Sequence, residues 1–381
     1  MKQSTSHRNV VLLILLAVAA APLAAGVTEV SGVTGEGASY LFLVPDGQDG
    51  DHWNGRVVYY AHGYQIPKIF PGPSFVPQPF LEDLVELGFA VAQSSYSQTG
   101  WAVEQAIREM HQLRGLFHAA FGVPDRSYLM GRSMGGLIVV GLAEKHPAQY
   151  DGALPICGAV GGAHLVIDQI WGARAAFDFF YPGALPGHAF DVPDALGFNE
   201  AFGAVQTAVF GDPTGALQLA GESSLDIDAI DFVELFLNLA IRIGVQAEGT
   251  SDLVARGHGH VPYDNVDVIY DVPSLDAGIQ RFASTPDAER YYDHHFEPSG
   301  RIGMPVLSVH NTRDPLVPIA HEERFAQVVD SVGNGELLVR QTVDRLGHCE
   351  FRSQEVVDAF LGLVDWVENG VEPTSGDITV P

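Results

Sequence analysis

Residues 128–137 read YLMGRSMGGL: a short apolar run, then Gly-Arg-Ser, then Met-Gly-Gly and the start of a second apolar stretch. The run at 126–130 has the composition of a strand and the segment at 134–145 that of a helix, so Ser133 falls on the turn between them. Two readings fit a serine flanked by Gly131 and Gly135. In an ordinary turn, glycine and serine are simply common. In a nucleophile elbow, the bend is so sharp that a Cβ at either flanking position would collide with neighbouring backbone. The pattern G-x-S-x-G alone leaves both open, and the strand before it with the helix after it favours the second.

Outward from this turn, β-rich runs alternate with helical stretches, the pattern of a largely parallel sheet covered by helices. Strands are expected at 38–44, 55–61, 88–95, 126–130, 151–156, 305–310 and 336–341. Helices are expected at 101–121, 134–145 and about 354–368. The alternation stops between Gly158 and about Arg301. That segment leans helical, with a helix-like apolar pattern at 228–246 and aromatic clusters at Trp171 and 177–181. It reads as a mainly helical insertion between two strands. The expected organisation is therefore residues 26–158 and 302–381 as an α/β core with helices on both faces of the sheet, and 159–301 as a lid.

This arrangement resembles the α/β-hydrolase superfamily from about residue 39 to 368. The resemblance implies a nucleophile, an acid and a histidine in that chain order, the acid after a late strand and the histidine after the last. Ser133, Asp314 in VHNTRDPLVP and His348 in DRLGHCEF occupy those places. A serine hydroxyl is a poor nucleophile until a base takes its proton, and a neutral imidazole does so near neutral pH. A buried carboxylate fixes the tautomer of that ring. By the same resemblance, the backbone N–H groups of Met134 and of Tyr64, in His62-Gly63-Tyr64, form an oxyanion hole. His62, Trp101 and Trp171 are candidate substrate contacts, with core packing the alternative for both tryptophans. Cys157 and Cys349 fall at the carboxyl edge of such a sheet, which implies a disulfide pinning the histidine loop.

The remaining composition narrows the partners. Lys2 and Arg8 precede an apolar run at 10–21 and small residues at 22–25, the pattern of a secretory signal peptide over 1–25 that is too short for a membrane span. Apolar residues make up 46% of the chain and its formal charge is −27, with Lys2, Lys68 and Lys145 its only lysines. Residues 160–300 hold 21 Asp and Glu against 5 Arg, a net of −16. Such a surface repels nucleic acid and anionic membranes. The histidines at 257–260 and 294–295 lack helical metal-ligand spacing and are expected on surface loops, so no metal is expected. The sequence has no phosphate-binding glycine loop with a lysine and no dinucleotide fingerprint, so no cofactor is expected. The expectation is a secreted serine hydrolase of carboxylic esters, small or polymeric. A peptidase of the same fold and a non-catalytic binding protein are the alternatives, and the oligomeric state is left open.

Overall fold

The structure, a computed structural model, describes residues 26–47, 52–70, 72–227, 229–260 and 263–380. The proposed signal peptide at 1–25 lies outside them. Nine strands form one sheet among the described residues: β1 (Val27–Val33), β2 (Ser39–Pro45), β3 (Arg56–Ala61), β4 (Ala90–Ser94), β5 (Arg126–Arg132), β6 (Gly152–Ile156), β7 (Val306–Arg313), β8 (Leu338–Leu346) and β9 (Gly376–Asp377). Their order across the sheet is β1-β2-β4-β3-β5-β6-β7-β8-β9. β1 and β2 run antiparallel to their neighbours, and the pairings from β4 through β9 are parallel.

The central strands are near-continuous apolar runs because both faces are covered. On one face lie α2 (Val103–Phe121) and α3 (Met134–Lys145); α1 (Pro79–Glu86) and α11 (Ser353–Asn369) lie on the other. Alternate residues of β5 go to opposite layers: Leu129 joins Ile107, Phe117 and Val139, while Tyr128 and Met130 join Phe80, Leu84 and Phe360. That two-residue period seats the sheet between two hydrophobic layers.

Between β6 and β7 the described residues form six α-helices: α4 (Ala163–Phe180), α5 (Phe198–Gly211), α6 (Thr214–Leu219), α7 (Phe232–Arg256), α8 (Pro273–Gly278) and α9 (Pro286–Phe296). The last α-helix before α11 is α10 (Ala320–Ser331). Asp231 caps α7 by accepting from the N–H groups of Val233 and Glu234 at 2.8 and 3.0 Å, the pattern expected of an N-cap aspartate. α4 joins the two bodies. Its first half, Val166 to Trp171, packs into the sheet core, whereas Ala175, Ala176 and Phe177 pack with Leu239, Ala240 and Ile243 of α7 in a separate core.

Several elements depart from the sequence reading. β1 and the short β9 were not expected, since β1 carries an exposed, glutamate- and serine-containing face that lacks a clean apolar signal. β7 runs to Arg313 instead of ending at 310, and β8 runs from Leu338 to Leu346 instead of 336–341. The helix expected at 228–246 is α7, displaced toward the C-terminus. His294 and His295 lie in the last turn of α9 and not on a loop.

Cys157 and Cys349 form a disulfide with Cα atoms 5.3 Å apart, bridging 192 positions. Cys157 follows β6 directly and Cys349 follows the loop after β8, so the bond ties the centre of the sheet to its last long crossover. In unfolded, unreduced protein, thiol titration should find no free sulfhydryl. Replacing both cysteines by serine should lower the unfolding free energy by roughly 2–5 kcal/mol in denaturant titration.

Candidate active site

The turn at Ser133 is built by close backbone passage. Ser133 has φ 59° and ψ −124°, a conformation L-residues rarely adopt, which surrounding structure must impose. Its N–H donates to the Ile156 carbonyl at 2.9 Å, and its own carbonyl accepts from Gly136 at 2.8 Å and Ala159 at 3.3 Å. A Cβ on Gly131 would stand 2.1 Å from the Gly135 carbonyl oxygen, and one on Gly135 would stand 2.0 Å from that of Ala61. The flanking glycines are therefore required by contact.

Parallel strands bring their carboxyl ends to one edge, and three side chains meet there. The Ser133 hydroxyl donates to His348 Nε2 at 2.8 Å, and His348 Nδ1 donates to Asp314 Oδ2 at 2.7 Å. Because a carboxylate only accepts, the Asp314 contact places the ring proton on Nδ1 and leaves Nε2 free to accept. Asp314 is buried, and its Oδ1 takes the N–H groups of Leu316 and Val317, both at 2.9 Å. Burial alone would raise this carboxyl. The charge and hydrogen bond of His348, with His310 beyond, outweigh that and hold it below the ordinary carboxylate range.

Three groups that the sequence reading passed over support this relay. His310 is fully buried, with Nδ1 3.0 Å from Glu322 Oε1 and Nε2 2.8 Å from the Val317 carbonyl. Both neighbours are acceptors, so the ring carries both protons and Glu322 is its counter-charge. Burial opposes that charge, but Glu322 prevails and raises the imidazole. Its Nε2 lies 3.9 Å from Asp314 Oδ2. Arg242 of α7, also fully buried, donates from Nε to the Pro315 carbonyl at 3.0 Å and from Nη2 to Asp226 O at 2.9 Å. Burial pushes its guanidinium down to about 10. Arg132, the variable residue of the G-x-S-x-G pattern, donates to Gln78 Oε1 at 2.7 Å and to the Cys349 carbonyl. Sequence carries no signal for these roles, because each partner arrives from a distant segment.

Ser133 and His348 open into a cavity of about 170 Å³. Its walls include Tyr64, Ile66 and Trp101 from the sheet side, Val166, Ile170 and Trp171 from α4, and Val245, Gly249 and Leu253 from α7. Trp101 and Trp171 line the cavity and also pack in the sheet core, while Phe177 and Tyr181 belong to the helical core. His62 does not line it. That ring is buried, stacks on Tyr96 at 3.9 Å and lies 2.8 Å from the Gly63 carbonyl and 3.2 Å from that of Ser95, so it shapes the loop instead of facing a ligand. The loop runs close to the serine: a Cβ on Gly63 would come within 3.1 Å of Ser133 Cβ. Met134 opens α3, so its N–H has no intrahelical acceptor. The Tyr64 N–H has no acceptor among the described residues.

Elsewhere, His164, Glu289 and Asp293 bring ligand-type atoms within 4.8 Å of one another on the surface between α4 and α9, where His164 Nε2 meets Asp293 Oδ1 at 2.9 Å.

The elbow geometry predicts opposite outcomes at two helical glycines. Gly135→Ala should fail to fold or lose several kcal/mol, since the clash is with backbone. Gly203→Ala in α5, whose added Cβ meets nothing within 4 Å, should stabilise by about 0.5–1 kcal/mol. Thermal melts of both variants check this.

No protein-family profile matches the chain. An o-phthalyl amidase from Xanthobacter agilis is 22% identical over 418 aligned residues, covering 91% of this chain and 89% of that one. Among solved structures, feruloyl esterase B from Aspergillus oryzae superposes with TM-score 0.52 at 14% identity, over 91% of this chain and 81% of that one. A second esterase from Aspergillus oryzae gives TM-score 0.51 at 15% identity, over 91% and 80%. An acylaminoacyl peptidase from Pyrococcus horikoshii gives TM-score 0.46 at 8% identity, and this chain spans 41% of its length. Taken with the nine-stranded sheet and its strand–serine–helix turn, the two esterase superpositions show that this chain has the α/β-hydrolase fold.

Proposed function

We propose that the protein is a serine hydrolase that cleaves carboxylic esters with a compact, uncharged acyl group. The observation that carries the reading is the relay Ser133–His348–Asp314, at 2.8 and 2.7 Å, opening into an apolar cavity. Ser133 Oγ attacks the ester carbonyl carbon while His348 Nε2 takes its proton. The N–H groups of Met134 and Tyr64 receive the developing oxyanion. His348 then returns the proton to the leaving alkoxide, and water repeats the sequence on the acyl-enzyme. Asp314 stays ionised and stabilises the imidazolium.

The cavity supports the acyl preference. At about 170 Å³ it is smaller than the roughly 300–1,000 Å³ of most ligand pockets. Its lining has no Asp, Glu, Lys or Arg among the described residues. A peptidase that binds free amino termini needs a carboxylate there, so the acidic surface of the helical insertion does not serve that reading. An o-phthalyl group bears a carboxylate, and this cavity offers no cation for it. Amide cleavage is the second reading, favoured by the amidase among the relatives and by a relay that serves either bond. We read residues 159–301 as a lid, since α4 and α7 roof the cavity. Export is the matching proposal for location. The disulfide supports it, and among the described residues no helix is long and apolar enough to cross a membrane.

Matched p-nitrophenyl esters and p-nitroanilides of butanoic, benzoic and o-phthalic acids test the proposal. Butanoyl and benzoyl esters should be turned over, with o-phthalyl esters at least tenfold poorer. Anilides turning over faster than the matched esters would establish the second reading. Ser133→Ala should lower kcat by about 10⁴-fold or more, and Asp314→Asn by about 10⁴-fold, with the fold retained by circular dichroism.

The pH dependence follows from Asp314. A carboxyl held low keeps its charge as pH falls and loses it only on passing its folded-state value, below the unfolded value of about 3.9. Between neutrality and about pH 4, Asp314 should therefore add no protonation of its own to the fall of log kcat/KM, whose slope should not exceed one. A slope of two would show that the carboxylate titrates in the same window.

A further inference from the structure

We propose that the Tyr64 hydroxyl reads the substrate, donating a hydrogen bond to an oxygen carried on the acyl group away from the scissile carbonyl. The inference rests on the serine-hydrolase reading above and narrows its substrate class to short, uncharged acyl groups with one internal oxygen acceptor, such as a ketone or ether.

The hydroxyl oxygen of Tyr64 is buried and has no hydrogen-bond partner among the described residues. A buried polar group without a partner is costly to keep. The hydroxyls of Tyr59, Tyr60 and Tyr150 are also unpartnered, but those residues lie in the sheet layers and none of them lines the cavity. Tyr64 does line it, on the side facing Gly249 of α7. A Cβ on Gly249 would come within 3.1 Å of the Tyr64 oxygen and 4.0 Å of Trp171 Cη2, so the missing side chain leaves the phenol room at the cavity wall.

Three other polar side chains of the lining are hydrogen-bonded. Ser133 and His348 bond each other at 2.8 Å, and Trp171 Nε1 donates to Thr250 Oγ1 at 3.1 Å. The Tyr64 O–H is thus an unpartnered donor beside Gly249 at the cavity wall. Desolvation by burial, with the nearby Asp252 and Glu248 charges acting in the same direction, pushes the phenol well above its ordinary value, so it remains protonated and able to donate. Its backbone N–H and its side chain then serve different atoms of one substrate, the oxyanion and the acyl oxygen.

The test compares p-nitrophenyl pentanoate and hexanoate with the same esters bearing a ketone oxygen at the penultimate carbon, each rate divided by its uncatalysed hydrolysis rate. In the native protein the keto ester should exceed its plain partner in kcat/KM by about tenfold or more at one chain length, the size expected for one buried hydrogen bond. In Tyr64→Phe that ratio should fall to near one. Because the readout is a ratio, any general loss from disturbing the loop cancels. Tyr64→Phe should also melt no lower than the native protein, since it removes an unpaired buried hydroxyl. Gly249→Ala, which crowds the same oxygen, should lower the ratio as well. Turnover of the plain esters with no keto preference would overturn the Tyr64 proposal and leave the hydrolase reading standing, as would a preference that survives Tyr64→Phe. Failure to turn over any ester or anilide would overturn both.

Discussion

The backbone contact between Gly135 and the Ala61 carbonyl, 2.0 Å from where a Cβ would sit, is the constraint on which the rest of this structure depends. It lets α3 start hard against β3, so β5 must turn into the helix within one residue. That residue is Ser133, held at φ 59° with its hydroxyl at the carboxyl edge of the sheet. Everything assembled at that edge follows from the parallel order of β3, β5, β6, β7 and β8. A parallel sheet delivers the loops after its strands to one side. The acid loop after β7 and the histidine loop after β8 therefore arrive together without any contact between them in sequence.

Arrival is not enough, because a relay needs loops that hold still. The histidine loop is fixed twice beside His348: by the disulfide from Cys349 to Cys157, and by Arg132 on the Cys349 carbonyl. The acid loop is fixed at Asp314, whose carboxylate takes two backbone N–H groups of its own loop, at Val317 through His310, and at Pro315 through Arg242. Arg242 belongs to α7, the helix that also walls the cavity with Val245, Gly249 and Leu253. The helices between β6 and β7 thus bear on both the cavity and the geometry of Asp314.

The strand–serine–helix turn, the places of Asp314 and His348 after late strands and the run of helices between β6 and β7 were legible in the sequence because each has a local signature: G-x-S-x-G between a strand and a helix, Asp and His after apolar runs, and a long break in the alternation. Antiparallel β1 was not, since its outward face is polar and its pairing with β2 is a tertiary fact. The same limit hid the roles of His310, Glu322, Arg242 and Arg132, whose chemistry exists only through partners 7 to 217 positions away. His62 was placed at the substrate by its neighbours in the chain, yet its side chain turns into the sheet toward Tyr96. Backbone proximity to a site does not fix where a side chain points.

The central claim is that Ser133 is a nucleophile activated by His348. Reaction with a fluorophosphonate, followed by intact-mass and peptide mass spectrometry, tests it most directly, because only an activated serine is phosphonylated rapidly. The account predicts one adduct per chain, located on Ser133, formed slowly or not at all in His348→Ala. An adduct on another residue, or an unmodified native chain, would contradict it.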